Sequence, residues 1–166
     1  MIHLIVGNTG SGKTTYSTEL KKKNNGIIFS IDKWNKTLFL TDKKPTDGLE
    51  WFLERIDRAE EMIMELVMQL ENAKTDSILD LGLSKLKHRE KFRKFSESKG
   101  YELKTHFLNI SKETRLERVM KRNSEKGETF EFEVSNNYVR KNILNSIRES
   151  ISMKKEIVQE FNSEIN

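Results

Sequence analysis

The stretch GNTGSGKTT, residues 7–15, holds three glycines followed by a lysine and two threonines. The apolar run before it, Ile2–Val6, predicts a buried strand, and the residues behind it predict a helix. Residues 7–14 fit the pattern GxxxxGK[ST] in full, and this pattern forms a loop whose backbone amides surround a phosphate. A plain glycine turn needs neither the lysine nor the threonine. The stretch therefore predicts a phosphate-binding loop, called the phosphate loop below.

Each position of the phosphate loop has a physical role in holding a nucleotide. Glycines accept positive φ, so backbone N–H groups can turn inward, and the following helix directs its positive end to the same anion. We expect Lys13 to reach the β- and γ-phosphates of ATP and the Thr14 hydroxyl to ligate Mg²⁺. The residues expected to bind ATP in this loop are Gly7, Asn8, Thr9, Gly10, Ser11, Gly12, Lys13, Thr14 and Thr15.

Asp80 is the second expected contributor to the metal site. It follows the apolar part of SILD, residues 77–80, and an acidic residue at this point is placed to hold Mg²⁺ through a water. An ordinary aspartate at a strand end is the alternative interpretation. The presence of the phosphate loop favours the metal role.

Composition narrows the class of protein. The 166 residues fit one domain with a substantial core. No run approaches the ~20 apolar residues of a membrane span, and no signal peptide precedes the first strand. The chain has no cysteine, which excludes disulfides and favours a cytoplasmic location. The three histidines, His3, His88 and His106, have no metal-ligand spacing and are interpreted as structural or surface residues.

Predicted strands and helices alternate along the chain. The strands are expected at 2–6, 26–32, 77–83 and 101–108, and the helices from the loop to residue 23 and over 49–70, 85–98, 112–126 and 136–149. Residues 156–161 fit either a last strand or the end of a helix. This order predicts an α/β fold with a central, mainly parallel sheet and helices on both faces. Ligands then bind at the carboxyl ends of the strands.

Asp32 follows the second predicted strand and has two interpretations. A carboxylate there can face the site and take a proton from an acceptor hydroxyl. It can equally be the N-cap of a helical segment over residues 33–38. Spacing alone does not decide between them.

Three arginines, Arg115, Arg118 and Arg122, lie three and four residues apart and so share one face of a predicted helix. Guanidinium groups donate two hydrogen bonds to a phosphate and offset its charge in the transition state. A solvated face with ion pairs to Glu113 and Glu117 is the alternative. The phosphate loop favours the phosphate role.

At these residues the chain resembles the small P-loop kinase-like ATP-binding proteins described as AAA domain proteins. That family is similar to chloramphenicol phosphotransferase, polynucleotide kinase and zeta-toxin kinases. The resemblance covers nearly the whole chain. It is carried by GNTGSGKTT at 7–15, FSIDKW at 29–34, ILDLGL at 78–83 with KHREKFR at 87–93, RLERVMKRN at 115–123 and ETFEFEVS at 128–135.

The resemblance implies a nucleoside-kinase-like, three-layer P-loop NTPase fold in a single domain over 1–166, with a helical lid over about 112–135. It makes Asp32 the catalytic base or acceptor anchor, and it places Arg118 on the nucleotide and Arg122 on the transferred phosphate. With Lys13, these are the expected catalytic residues. Leu83 and Ser84 stand where the family often has aromatic residues, which is a departure on the acceptor side.

Together these features predict an ATP- and Mg²⁺-dependent kinase that moves the γ-phosphate to a hydroxyl of a small molecule or nucleotide. One alternative is a polynucleotide 5′-hydroxyl kinase or nucleic-acid-end binder, which rests on the pI of about 9.2 alone. A lysine excess giving a net charge of +4 is more typical of a solvated surface. The other alternative is an NTP-hydrolysing switch without an acceptor, although the chain has no guanine-reading Asn-Lys-x-Asp segment.

Overall fold

The structure is a computed structural model that describes residues 1–82 and 86–125. Four expectations concern residues outside this part of the chain. They are Leu83 and Ser84, the end of the predicted lid over 126–135, the helix over 136–149 and the segment 156–161.

Within residues 1–82 and 86–125, four strands form one sheet in which all pairs are parallel. The strands are β1 (Ile2–Val6), β2 (Ile27–Ser30), β3 (Ser77–Asp80) and β4 (Leu103–Phe107), and their order is β2-β3-β1-β4. In β1 every residue is buried, because this strand has neighbours on both sides and helices on both faces. A short apolar run is typical of such a strand. The predicted parallel sheet is confirmed.

In the part of the chain that the structure describes, five α-helices connect and cover the strands. They are α1 (Lys13–Asn24), α2 (Ile31–Trp34), α3 (Leu49–Asn72), α4 (Leu86–Lys99) and α5 (Lys112–Glu125). Ser111 caps α5, since the backbone N–H of Thr114 donates to Ser111 Oγ at 3.2 Å. Within the described residues, none of these helices is long and apolar enough to cross a membrane.

The two faces of the sheet pack against different helices. Ile2, Leu4 and Val6 join a buried core to which α3 contributes Ile63 and α4 contributes Phe92. His3, on the opposite face, contacts Asn24 at the end of α1. Alternate residues of one strand thus face two helical layers, and the three-layer architecture is confirmed.

The second strand is shorter than predicted. Its pairing ends where Ser30 lies opposite Asp80, and the chain continues as α2, a π-helical turn over Asn35–Phe39 and a 3₁₀ turn over Leu40–Asp42. Ser30 occupies the N-cap position of α2, so the N-cap interpretation of Asp32 is wrong. Asp32 lies instead in the first turn of α2, where a carboxylate is favoured by the helix dipole.

The topology leaves a crevice at the carboxyl ends of β1 and β3. From β1 the chain crosses to β2 at one edge of the sheet, whereas from β3 it crosses to β4 on the other side of β1. Loops that leave adjacent strands in opposite directions open such a crevice, and ligands bind there. The phosphate loop follows β1 and Asp80 ends β3, so both lie at this crevice.

Candidate functional site

The phosphate loop makes a tight turn between β1 and α1. The backbone N–H of Ser11 donates to Asn8 O at 3.0 Å, and that of Tyr16 donates to Gly12 O at 2.9 Å to begin the helix. Gly10 and Gly12 have φ of 81° and 90°, a left-handed conformation that glycine adopts without strain. Glycine is needed at position 10 for a second reason, because a Cβ there would lie 2.6 Å from the carbonyl oxygen of Arg115.

Lys13 begins α1 and is the centre of a cluster of charges. Burial lowers the pKa of its ammonium group, while the carboxylates of Asp80 and Asp32 act to raise it. Arg122 and Arg115 lower it further. Two carboxylates and two guanidinium groups therefore act on one lysine at the base of the phosphate loop.

Thr14 and Asp80 are joined directly. The Thr14 hydroxyl donates to Asp80 Oδ2 at 2.9 Å, and Asp80 is only 6% exposed. Burial raises the pKa of Asp80, with Lys13 and the hydrogen bond from Thr14 acting in the opposite direction. Because Thr14 donates its proton to Asp80, the lone pairs of its oxygen are free to face a cation.

These oxygen donors fit Mg²⁺. Among the described residues, no group of three or more histidines, cysteines or acidic residues could hold a metal ion. Mg²⁺ usually binds through one or two protein groups and completes its shell with water and substrate phosphates. A hydroxyl beside a buried carboxylate, next to a phosphate loop, agrees with that mode.

Helix α5 lies against the phosphate loop. Arg118 Nη1 donates a long hydrogen bond of 3.4 Å to Ser11 O. Ser11 Oγ and the Nε and Nη2 atoms of Arg122 are buried and have no hydrogen-bond partner among the described residues. Buried polar atoms are nearly always partnered, so these donors are suited to an anion in the crevice.

The structure thus brings the predicted site residues to one place. Arg118 contacts the loop, and Asp32, Asp80 and Arg122 act electrostatically on Lys13. Arg115, the third arginine of the predicted face, is 7% exposed and also acts electrostatically on Lys13. The sequence feature that indicates its place in the site is its spacing of three and seven residues from the other two arginines. Thr15 is exposed in the first turn of α1.

Comparison with known proteins agrees with this geometry. Residues 2–141 match the family model described as "AAA domain". The chain therefore belongs to this family, whose members are P-loop kinase-like domains. Its fold is the α/β fold of P-loop NTPases. A comparison with curated protein sequences found no match.

Two solved structures show the same fold. A chain of the Pnkp1/Rnl/Hen1 RNA repair complex is 17% identical with a TM-score of 0.66, and the match covers 91% of the present chain and 45% of that one. The present chain thus spans less than half the length of that relative. The structure of APE1195 is 18% identical with a TM-score of 0.54, over 91% of this chain and 93% of its own. At these identities both show the fold alone.

Proposed function

We propose that the protein is an ATP-dependent phosphotransferase that moves the γ-phosphate of ATP to a hydroxyl of a small molecule or nucleotide. The observation that carries this proposal is the cluster around Lys13. It combines a phosphate loop, a Thr14–Asp80 pair, an accessible carboxylate at Asp32 and arginines from α5. A domain that only bound nucleotide would not need the carboxylate on the acceptor side.

The chain's own groups would hold and polarise the triphosphate. The turned-in amides of the loop and the start of α1 bind the phosphate oxygens. Burial lowers the pKa of Lys13, and the negative charge of a bound phosphate would act in the opposite direction and favour its charged form. Arg122 offers unpartnered donors to the phosphoryl group in flight, and Arg118 already lies over the loop.

Thr14 and Asp80 would hold the metal ion that accompanies ATP. When bound there, Mg²⁺ would supply positive charge that offsets the negative charge of the triphosphate. Asp80 orients the Thr14 oxygen through the hydrogen bond described above. Because Asp80 reaches the site through that hydroxyl, it serves as an outer ligand.

Asp32 would act on the acceptor. It is exposed, stands in the first turn of α2 and acts electrostatically on Lys13, so it borders the crevice without being enclosed. A carboxylate in this place can orient an acceptor hydroxyl and take its proton as the phosphate arrives. Phosphoryl transfer depends more on positioning than on base strength, so orientation is its larger contribution.

The second candidate acceptor is the 5′-hydroxyl end of a nucleic acid. The fold likeness to a chain of an RNA repair complex, with a TM-score of 0.66, favours including it. Identity of 17% extends the likeness no further than the fold, and the small-molecule or nucleotide acceptor stays our main proposal.

The test is a γ-phosphate transfer screen with radiolabelled ATP. Acceptors are nucleosides, nucleotides, sugars, aminoglycosides and 5′-hydroxyl oligonucleotides. Asp32→Asn should lose about 10²-fold in acceptor-dependent transfer with nearly unchanged ATP affinity by calorimetry. Asp57→Asn, which changes an exposed carboxylate on α3, is the matched control.

Each outcome bears on one part of the proposal. Label on an oligonucleotide but on no small acceptor would establish the second candidate. If ATP were hydrolysed but none of the acceptors became labelled, the result would favour an NTP-hydrolysing switch protein and would overturn both proposed acceptors. Equal losses of ATP affinity and transfer in Asp32→Asn would show that Asp32 is structural.

A further inference from the structure

Two histidines that lie 103 residues apart form a buried contact beneath α1. His3 in β1 is 2% exposed, and its Nδ1 lies 3.0 Å from Nε2 of His106 in β4. The contact continues at both ends. His106 Nδ1 lies 2.8 Å from the hydroxyl of Tyr16, and His3 Nε2 lies 3.1 Å from Asp76 Oδ2. We call the series Tyr16–His106–His3–Asp76 the relay.

Valence fixes the direction of every bond in the relay when both rings are neutral. Ionised Asp76 can only accept, so His3 carries its proton on Nε2 and leaves Nδ1 as an acceptor. His106 must then donate from Nε2, which leaves its Nδ1 to accept from the Tyr16 hydroxyl. The relay therefore runs one way, from Tyr16 to Asp76. The amide of Asn24 lies 3.2 Å from His3 Nε2, and turning it by 180° offers its oxygen to the same N–H.

The relay ends in the helix that follows the phosphate loop. Tyr16 lies three residues after Lys13, in the first turn of α1, and its backbone N–H donates to Gly12 O at 2.9 Å. Its side chain thus fastens the start of α1 to β4 through His106. A change at this hydroxyl acts on the turn that holds Lys13 and Thr14.

We propose that the relay positions α1 and the phosphate loop, and that it takes up a single proton by reversing the two hydrogen bonds of His106. The proton enters at His106 Nδ1, which is on the more exposed ring of the pair. The Nε2 proton of His106 passes to His3 Nδ1. His3 becomes the cation beside Asp76, His106 becomes the Nδ1–H tautomer, and the Tyr16 hydroxyl rotates from donor to acceptor. Every hydrogen bond is kept.

The surrounding charges favour one proton and oppose a second. Burial acts to raise the pKa of Asp76, but hydrogen bonds from His3 and the amino group of Met1 hold it below its usual range. That amino group also contacts Glu71. His106 has the opposite surroundings: burial, His3 and Lys104 lower its pKa from 6.5 to about 4. A second proton would set two N–H groups against each other and break the central bond.

Imidazole ¹⁵N chemical shifts test the proposal without any assay of activity. Above about pH 8, both rings should be Nε2–H tautomers. After uptake of one proton, His3 should be cationic while His106 is neutral and protonated on Nδ1. If His106 kept its Nε2–H tautomer while the relay took up the proton, or if both rings became cationic together, the proposal would be overturned.

A second experiment measures the effect on the phosphate loop and rests on the proposed nucleotide binding. The affinity for ADP is measured by calorimetry between about pH 5 and 8. Because a buried cation beneath α1 favours a bound anion, affinity should rise roughly five-fold as the pH falls, the low end of coupling between sites. Tyr16→Phe and His106→Gln should both flatten this dependence.

His88→Gln is the matched control, because His88 lies outside the relay, on α4, where its Nδ1 is 3.0 Å from Glu60 Oε1. It should keep the wild-type dependence. Equal flattening in all three variants would assign the effect to general destabilisation and overturn the link to the loop. Absence of ADP binding at every pH would instead contradict the proposed function, while the tautomer test would still decide the relay.

Discussion

Two clusters of buried charge in this protein are built in opposite ways. In the first, which we call the helix clamp, Glu60 of α3 is 1% exposed and both of its oxygens are partnered. Oε1 lies 3.0 Å from His88 Nδ1 and Oε2 lies 2.9 Å from Lys91 Nζ. Burial acts to raise the pKa of Glu60, but these two hydrogen bonds outweigh it and lower the pKa.

In the cluster around Lys13, burial outweighs the hydrogen bonds and neighbouring charges that act against it. Burial wins there, raising the pKa of Asp80 and lowering that of Lys13, and two donor atoms of Arg122 have no partner among the described residues. The helix clamp is electrostatically complete as it stands. The Lys13 cluster needs further charge, which is typical of a functional site. Perturbed groups in a crevice therefore indicate function more clearly than buried charge alone does.

The largest expected effect comes from Lys13→Ala. Removing a preorganised charge that acts on the transition state should lower phosphate transfer by about 10³-fold. The free energy of unfolding should not fall, because Lys13 is a destabilised cation in the free protein. Steady-state transfer and urea unfolding measure the two effects. If this variant transferred phosphate at the wild-type rate, the proposed role of Lys13 would be wrong. If it lost much stability, the contrast between the Lys13 cluster and the helix clamp would be wrong.

Glu60→Gln should have the opposite effects, lowering the free energy of unfolding while leaving phosphate transfer unchanged. Breaking a buried ion pair costs roughly 3–5 kcal/mol, but His88 and Lys91 are 26% and 33% exposed and can gain hydration, so we expect about 2 kcal/mol. Transfer per folded molecule should stay at the wild-type level. Glu61→Gln, at an exposed neighbour on α3, is the control.

The pH dependence of the same variant sharpens the test. A lowered carboxyl pKa contributes stability that is full above its ordinary value of 4.5 and is lost as the pH falls through the folded pKa. The wild type and Glu60→Gln should therefore differ most near neutrality and converge in acid. A constant difference down to about pH 3 would show that the charge of Glu60 contributes nothing.

Local patterns account for what could be predicted from the sequence. The phosphate loop, the parallel strands and the helical face of Arg115, Arg118 and Arg122 depend on short-range spacing, and the structure contains them all. The end of β2 was missed because Ile31 is buried in its helical position, as it would be in a strand. Apolar character alone cannot distinguish the two conformations.

The relay and the helix clamp could not be predicted, because each joins residues that are distant in sequence. His3 and His106 meet only because β1 pairs with β4, with His3 opposite Lys104. Glu60 meets His88 only where α3 packs beside α4. Histidines considered one at a time have no metal spacing, and that observation gave no indication of a contact between them.

A further prediction concerns the proposed metal site. Thr14→Val removes the hydroxyl that we propose as a direct ligand, and it should raise the Mg²⁺ concentration for half-maximal activity by roughly ten-fold, within the range for loss of a supporting metal contact. Asp80→Asn should have a smaller effect at saturating ATP, because it acts through the Thr14 hydroxyl. Thr14→Ser keeps the hydroxyl and is the matched control. Unchanged Mg²⁺ titration curves for Thr14→Val and Asp80→Asn would contradict the proposed metal site.

The smallest expected effect is that of Arg118→Ala, which separates two arginines on one helical face. Arg118 is exposed, and its hydrogen bond to Ser11 O is long, at 3.4 Å. Water and salt screen such a charge, and exposed ionic contacts contribute roughly 0.2–1 kcal/mol. The KM for ATP should therefore rise by about two- to five-fold with little change in kcat.

Arg122→Ala should instead lower kcat by about 10²-fold, because its buried donors are free to meet the moving phosphoryl group.

Ionic strength gives an independent check on the two arginines. Raising the salt concentration should reduce the effect of Arg118→Ala and leave that of Arg122→Ala nearly unchanged, since only the exposed charge is well screened. Arg58→Ala, at an exposed arginine paired with Glu54 on α3, should change neither constant. If Arg118→Ala lowered kcat as much as Arg122→Ala does, the two arginines would share one role on the transferred phosphate.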